Sequence, residues 1–190
     1  MSVATSSPRE GLEEDLELAA VGRWILGHQA FHLQLVAMLS VLDRCREGLE
    51  LDDRPLLSRS LADLRRLFDA STANMVYTAS FSPDLYAEVV RPTMMPPYLS
   101  PGFSGQLSHE HHLLLAELKR LRAALEGRWG GDEPWPVDVA EAWRQIGEAI
   151  RRNRNNHGLV CQRFIPDGSS LLTEFLTARV RSEEQPLAGE

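Results

Sequence analysis

The segment NNHGLVC, which ends at Cys161, holds two side chains that bind metals or attach cofactors. His157 and Cys161 are four residues apart, so in a helix both lie on one face, about one turn from each other. A flat cofactor against that face would take the His157 imidazole on its metal and the Cys161 sulfur at its edge. The alternative is an exposed histidine near a buried structural cysteine, since the run is not the C-x-x-C-H of ordinary c-type haem attachment.

A second titratable group stands in the segment RWILGHQAFHLQLVAML. His28 shares a helical stripe with Trp24, Phe31 and Leu35. An ionisable ring therefore lies on the apolar face that packs toward the core, and its simplest role is that of a hydrogen-bonded core histidine. His32 follows one turn later, and a pair at i and i+4 would also suit two metal ligands, although no carboxylate at matching spacing accompanies it.

The run HEHH places His109, Glu110, His111 and His112 next to one another. Three histidines suggest a metal site, but adjacent positions point around a helix instead of converging, and the H-E-x-x-H spacing is absent from the run. We expect a solvated face with one inward ring, either His111 or His112.

An arginine also stands near apolar loop residues. Arg91 follows Tyr86 and precedes a segment rich in methionine and aromatic residues. Its guanidinium suits a bidentate grip on a substrate carboxylate. Hydrogen bonds to loop carbonyls are the alternative role.

The elements that must position these groups are helices. Apolar residues recur at three- and four-residue steps over 13–50, and a second amphipathic helix begins at Arg54-Pro55. Ser82-Pro83-Asp84 is typical of a helix start, and the Pro- and Gly-rich stretch 90–105 predicts a long ordered loop. Three more helices are predicted over 109–127, from Val137, and over 171–179. We therefore expect an all-α fold with one domain over 13–180 and disordered tails at 1–12 and 181–190.

Composition restricts the function. The 190 residues carry a formal charge of −7, 43% hydrophobic residues and two cysteines. An acidic balance disfavours nucleic-acid binding, which depends on Lys and Arg at phosphates. Two cysteines cannot form a disulfide framework, no export signal is evident, and no stretch approaches the length of a membrane-spanning helix. We expect a soluble, cytoplasmic protein without membrane or nucleic-acid partners.

Three of these segments occur in a familiar order. WILGHQAFHLQLVAMLSVLD resembles the haem-pocket helix of tryptophan 2,3-dioxygenase, and SPDLYAEVVRP with SPGFSGQLS resembles that family's Tyr/Arg helix and following loop. The last segment has Trp143 before His157, Cys161, Arg163 and Ile165, with Gly168-Ser169-Ser170 next. Together they resemble the superfamily of haem-dependent aromatic oxygenases, and the cysteine four residues after the histidine is closest to the tyrosine-hydroxylase branch of natural-product pathways.

The resemblance implies a role for each matching residue. His157 would be the proximal iron ligand, His28 the distal, catalytic histidine, and Cys161 a thioether link to the haem edge. Arg91 would clamp the substrate carboxylate. The remaining implied contacts are Tyr86, Trp24, Phe31, Ser169 and Ser170 with the substrate and Phe103 and Arg163 with the haem.

The resemblance also implies a function. We expect a haem enzyme with a tryptophan 2,3-dioxygenase-like helical bundle that hydroxylates a small aromatic, amino-acid-derived substrate with peroxide or dioxygen. Alternatives are ring cleavage by a dioxygenase, a haem sensor without turnover, a non-haem metal site at His28, His32, His109 and His112, and a purely structural protein. A homo-oligomer, dimer or tetramer, is expected because helices with such apolar faces need partners.

Overall fold

The computed structural model describes residues 8–99, 108–130 and 134–165, and every regular element within these ranges is helical. Helix α1 spans Pro8–Glu50 and α2 spans Arg54–Thr78. A short helix, α3, consists of Pro83–Leu85, the π-helical turn Tyr86–Val90 and Arg91–Thr93. Helix α4 spans His109–Trp129 and α5 spans Val137–Phe164. The all-α prediction is confirmed, and the helix predicted over 171–179 lies outside the described residues.

Helices α1 and α2 form an antiparallel hairpin with a tight turn. Asp52 takes the left-handed conformation, with φ of 54°. The next residue caps α2, because the Asp53 side chain accepts a hydrogen bond from the Leu56 backbone N–H at 2.9 Å. Pro55 fits the first turn of α2, where no backbone donor is needed. The predicted restart at Arg54-Pro55 is therefore confirmed with its cap.

The main core lies where four helices meet. Its most deeply buried side chains come from all four: Leu35, Met38 and Leu42 of α1, Leu57, Leu61 and Leu64 of α2, Leu121 and Leu125 of α4, and Ile146 of α5. Helix α1 packs along α2 and on α4, and α5 packs on α2. The apolar residues that recur at helical spacing in the sequence thus form the face that each helix buries.

Polar contacts fix where α4 and α5 begin. The Ser108 hydroxyl accepts from the His111 backbone N–H at 3.3 Å and starts α4 as predicted. Near the start of α5, Asp138 accepts from the Arg54 guanidinium at 2.9 Å and from the Ser58 hydroxyl at 2.6 Å. These hydrogen bonds hold the pKa of Asp138 far below its usual range. They attach α5 to the first turns of α2.

The predicted loop 90–105 is wrong in its first residues. Val90 ends the π-helical turn and Arg91–Thr93 continue as helix. Pro92 follows this π-helical turn, in which the Arg91 backbone N–H bonds the Tyr86 carbonyl five residues earlier, so the regular i→i−4 pattern is already interrupted before the proline. The described remainder, 94–99, consists of turns, and 100–105 lie outside the described residues.

Helix α1 keeps an exposed apolar face. Leu18, Leu26 and Leu33 are 73%, 58% and 68% exposed. By length and composition, Asp15–Glu50 would suffice to cross a membrane, with a mean hydropathy of 1.4 in a window that is 28% buried. The expectation that no stretch reaches this apolar length is therefore wrong for α1. The absence of a membrane partner stays a prediction.

Candidate functional site

Contacts between α2 and α5 align the second half of α5 with the second half of α2. The Asn153 amide donates to the hydroxyls of Ser71 at 3.3 Å and Thr72 at 3.1 Å. Arg152 donates to Asp69 at 2.7 Å. These bonds set the register of α5, so that the residues after Asn153 lie beside the end of α2 that packs on Gly27.

Gly27 marks the closest approach of α1 and α2 at this end. The Asn74 amide donates to the Gly27 carbonyl at 2.8 Å, and the Thr78 side chain occupies the space that a Cβ on Gly27 would need. A glycine at this position therefore lets the two backbones meet. Because His28 is the next residue, this contact also fixes where His28 sits.

His28 is held by its own helix. Its Nδ1 lies 2.7 Å from the Trp24 carbonyl oxygen, and its ring contacts the Trp24 indole at a tilt of 49°, with centroids 4.1 Å apart. Since a carbonyl oxygen only accepts, Nδ1 carries the proton and Nε2 is the basic nitrogen of the neutral ring. Burial lowers the pKa of His28, and the hydrogen bond to Trp24 opposes that shift. The ring is half-buried, and its role at a catalytic site stays a prediction.

An aromatic cluster lies between α1, α3 and the end of α5. Tyr86 is 4% exposed and stacks on Phe164 with centroids 4.6 Å apart. Trp24 meets the Tyr86 ring edge-on at 6.0 Å, and Phe81 stacks on Phe164 at 5.3 Å. The rings of Tyr86 and Trp24 thus form a wall of packed rings behind His28. Their predicted contact with a substrate stays a prediction.

The two arginines of the prediction lie on different helices, Arg163 on α5 and Arg91 on α3. Arg163 donates to the carbonyl oxygens of Phe81 at 2.7 Å and Ala79 at 3.4 Å, so it binds backbone carbonyls exposed after the end of α2. Its guanidinium also lies 5.3 Å from the centre of the Phe164 ring. Arg91 is half-buried in α3. Cofactor contact by Arg163 and substrate contact by Arg91 are untested predictions.

His157 and Cys161 are exposed on one face of α5, as the spacing predicted. The Cys161 sulfur lies 3.6 Å from the His157 Nδ1. Burial raises the pKa of the Cys161 thiol. Cys45 is also a free thiol but is buried in the main core. An imidazole and a thiol one turn apart are therefore both accessible from outside the bundle.

His111 is the ring of the HEHH run that turns inward. It is half-buried, whereas His109 and His112 are exposed. Its pKa is lowered, first by burial and then by the positive charges that His112, His157 and Arg154 contribute. The buried His111 Nδ1 has no hydrogen-bond partner within the described residues. The start of α4 thus brings His111 close to the His157 end of α5.

The alternative metal site is not assembled. Among the described residues, no group of three or more His, Cys, Asp or Glu side chains is placed to hold a metal ion. His32 instead lies 4.0 Å from the Glu110 carboxylate. The bundle therefore separates the four histidines that the non-haem hypothesis required to converge.

Three predicted contacts, Phe103, Ser169 and Ser170, lie outside the described residues. Phe31, the remaining predicted substrate contact, lines a groove between α4 and α5. The same groove is lined by Asn153, Arg154 and Lys119, which sequence reasoning missed. Asn153 lies at helical spacing from Trp143 and Ile150 on α5, and that pattern could have indicated that it shares their face. No sequence pattern indicated Lys119.

Comparison with known proteins extends these observations. Residues 3–142 match a family model described as SfmD 3-methyl-L-tyrosine peroxygenase. A 3-methyl-L-tyrosine peroxygenase of Streptomyces lavendulae is 28% identical over 156 residues, which make up 80% of this chain and 40% of that protein. This chain thus spans less than half the length of that relative. No solved structure matches, so the tryptophan 2,3-dioxygenase-like arrangement of the helices stays a prediction.

Proposed function

This chain belongs to the SfmD 3-methyl-L-tyrosine peroxygenase family, and on that premise we propose that it is a haem-dependent enzyme that hydroxylates a small aromatic, amino-acid-derived substrate with peroxide. The relative from Streptomyces lavendulae is named a peroxygenase. That name favours peroxide over dioxygen and one inserted oxygen atom over ring cleavage. Because this chain covers 40% of the relative, the activity is proposed here and rests on the site.

The observation that best supports this proposal is the exposed pair of His157 and Cys161, in which the sulfur lies 3.6 Å from the imidazole Nδ1. Iron is commonly bound by imidazole, and a thiol beside it can attach the porphyrin edge. The pair is accessible, and the buried His111 Nδ1 close by lacks a partner within the described residues. These donors fit a haem, with His157 as ligand and Cys161 as thioether. The haem would supply iron chemistry that activates peroxide for oxygen insertion into an aromatic ring.

The residues of the chain would prepare the substrate. His28 is neutral because burial lowers its pKa, and its Nδ1 proton is committed to the Trp24 carbonyl. Its Nε2 is therefore the atom that accepts a proton from peroxide. The packed rings of Trp24 and Tyr86 hold His28 and exclude water on its inner side.

The experiment is haem reconstitution of the purified chain, followed by absorption spectra of three variants. Wild type should develop a Soret band, and His157→Ala should lose it. His32→Ala, a variant of an exposed histidine on α1, is the matched control and should keep it. Cys161→Ala should keep the band but release its haem into acidified organic solvent, whereas wild type should retain it.

The outcomes separate the parts of the proposal. A colourless wild type after reconstitution would overturn haem dependence, and an unchanged His157→Ala spectrum would overturn the ligand assignment. If haem binds, ¹⁸O-labelled hydrogen peroxide and 3-methyl-L-tyrosine test the activity. Product without the label would overturn peroxide as the source of oxygen.

The proposal also includes the oligomeric state and the cellular location of the protein. The exposed apolar face of α1, with Leu18 and Leu33 at 73% and 68% exposure, supports a homo-oligomer that covers it. Light scattering behind a sizing column tests this, and a monomer at micromolar concentration would refute it. We also propose a cytoplasmic location, which cell fractionation tests.

A further inference from the structure

A groove of about 330 Å³ runs between α4 and α5. That volume lies within the range of small-molecule sites, about 300–1,000 Å³. Its apolar surface comes from four helices and includes Phe31, Leu35, Met38, Phe68, Leu114, Trp143 and Ile150. A flat, apolar body therefore fits its floor.

The polar lining of the groove is cationic. It contains Lys119 and Arg122 of α4 and Arg154 of α5, and no acidic residue. Within the described residues, Lys119 and Arg154 form no ion pair or side-chain hydrogen bond, while Arg122 binds Glu126 at 2.8 Å. In a chain with a net charge of −7, this local positive charge attracts an anionic ligand.

The two ends of the groove differ. His111, whose buried Nδ1 lacks a partner, and Arg154 lie at the end near His157. Lys119 stands eight positions after His111 along α4, which is about 12 Å of helix. An aromatic ligand that carries a carboxylate would place that group at Lys119 and its ring on the apolar floor.

Resting on the proposed function, we propose that this groove binds the phenolic amino-acid substrate. Its carboxylate binds Lys119, with Arg122 beside it, and its phenol ring points to the end of the groove that holds His111 and Arg154. The aromatic ring lies between Phe31 and Trp143. This orientation directs the hydroxylated end toward His157, and it makes Lys119, in place of Arg91, the residue that selects for a carboxylate.

The experiment compares three probes by calorimetry on haem-loaded protein: L-tyrosine, tyramine, which lacks the carboxylate, and L-phenylalanine, which lacks the hydroxyl. Wild type should bind L-tyrosine about tenfold to a hundredfold more tightly than tyramine, as charge-assisted hydrogen bonds predict. Lys119→Gln should abolish that preference. Arg151→Gln removes an exposed α5 cation outside the groove and should keep it. L-phenylalanine, which keeps the carboxylate, should also bind more tightly than tyramine.

Failures of the two proposals look different. Equal affinity for L-tyrosine and tyramine in red, haem-loaded wild type would overturn the groove assignment alone. Loss of the Soret band in Lys119→Gln would mean that this cation holds haem carboxylates, and would overturn it too. A chain that binds no haem would overturn the proposed function. The affinities of L-tyrosine and tyramine for that haem-free chain would still test whether the groove binds the substrate.

Discussion

A methyl group added at Gly27 would collide with α2 beside the candidate site. A Cβ there would lie 1.8 Å from the Thr78 Oγ1 and 2.7 Å from the Thr78 Cβ. Carbon contacts normally lie at about 3.5–4.0 Å. Rotating the Thr78 side chain moves Oγ1 but leaves Cβ in place, so the two backbones must separate by about 1 Å.

The magnitude follows from a matched variant in the same helix. Overpacking costs about 1–3 kcal/mol, while replacing a helical glycine by alanine gains about 1 kcal/mol. A Cβ on Gly22 would meet no atom within 4 Å. Gly22→Ala should therefore have the gain in helix stability without the cost of overpacking. The difference in free energy of unfolding between Gly22→Ala and Gly27→Ala should therefore be about 1–3 kcal/mol.

Urea denaturation followed by circular dichroism measures this difference. Thr78→Gly completes a double-mutant cycle, because it removes all three colliding atoms, Oγ1, Cβ and Cγ2. Gly27→Ala combined with Thr78→Gly should be more stable than the sum of the single changes predicts. Equal stability of Gly27→Ala and Gly22→Ala, or strict additivity in the cycle, would refute the close approach and with it the placement of His28.

Two further predictions concern titratable groups. Because burial lowers the pKa of His28, the unfolded chain binds more protons below about pH 6.5, so the free energy of unfolding should fall as pH drops through that value. His28→Gln should flatten this fall by at most about 1.4 kcal/mol per pH unit in urea titrations between pH 7.5 and 5, and an unchanged slope would contradict it. In haem-free native protein, a thiol reagent should label exposed Cys161, while Cys45, whose pKa burial raises to about 12, should react only after unfolding. Rapid reaction of both thiols would contradict the core packing.

The helix starts were predictable because their signals are local. Asp53, Ser82 and Ser108 each accept a hydrogen bond from a backbone N–H three residues later, which a sequence pattern encodes directly. The loop prediction after residue 90 was wrong because proline was taken as a helix breaker. Pro92 follows a π-helical turn, and that local departure from α-helical hydrogen bonding was not indicated by the residue types.

The site needed tertiary information. Sequence alone left His111 and His112 equivalent, because neighbouring positions of a helix differ by their packing partners and not by their type. The packing of α4 on α1 turns His111 inward. Arg163 shows the same limit. Its hydrogen-bond partners are the carbonyl oxygens of Ala79 and Phe81, more than 80 residues earlier in the chain, and no local sequence pattern indicates these hydrogen bonds.

The family assignment and the haem proposal rest on different residues. The family match ends at residue 142, inside α5, whereas His157 and Cys161 follow in the second half of that helix. The matched segment supplies α1 to α4, which carry His28, Arg91 and His111, and so accounts for the walls of the site. The proximity of His157 to His111 comes from the register of α5 on α2, fixed by Asn153 and Arg152. A wild-type chain that binds no haem would therefore refute the proposed cofactor while leaving the family membership intact.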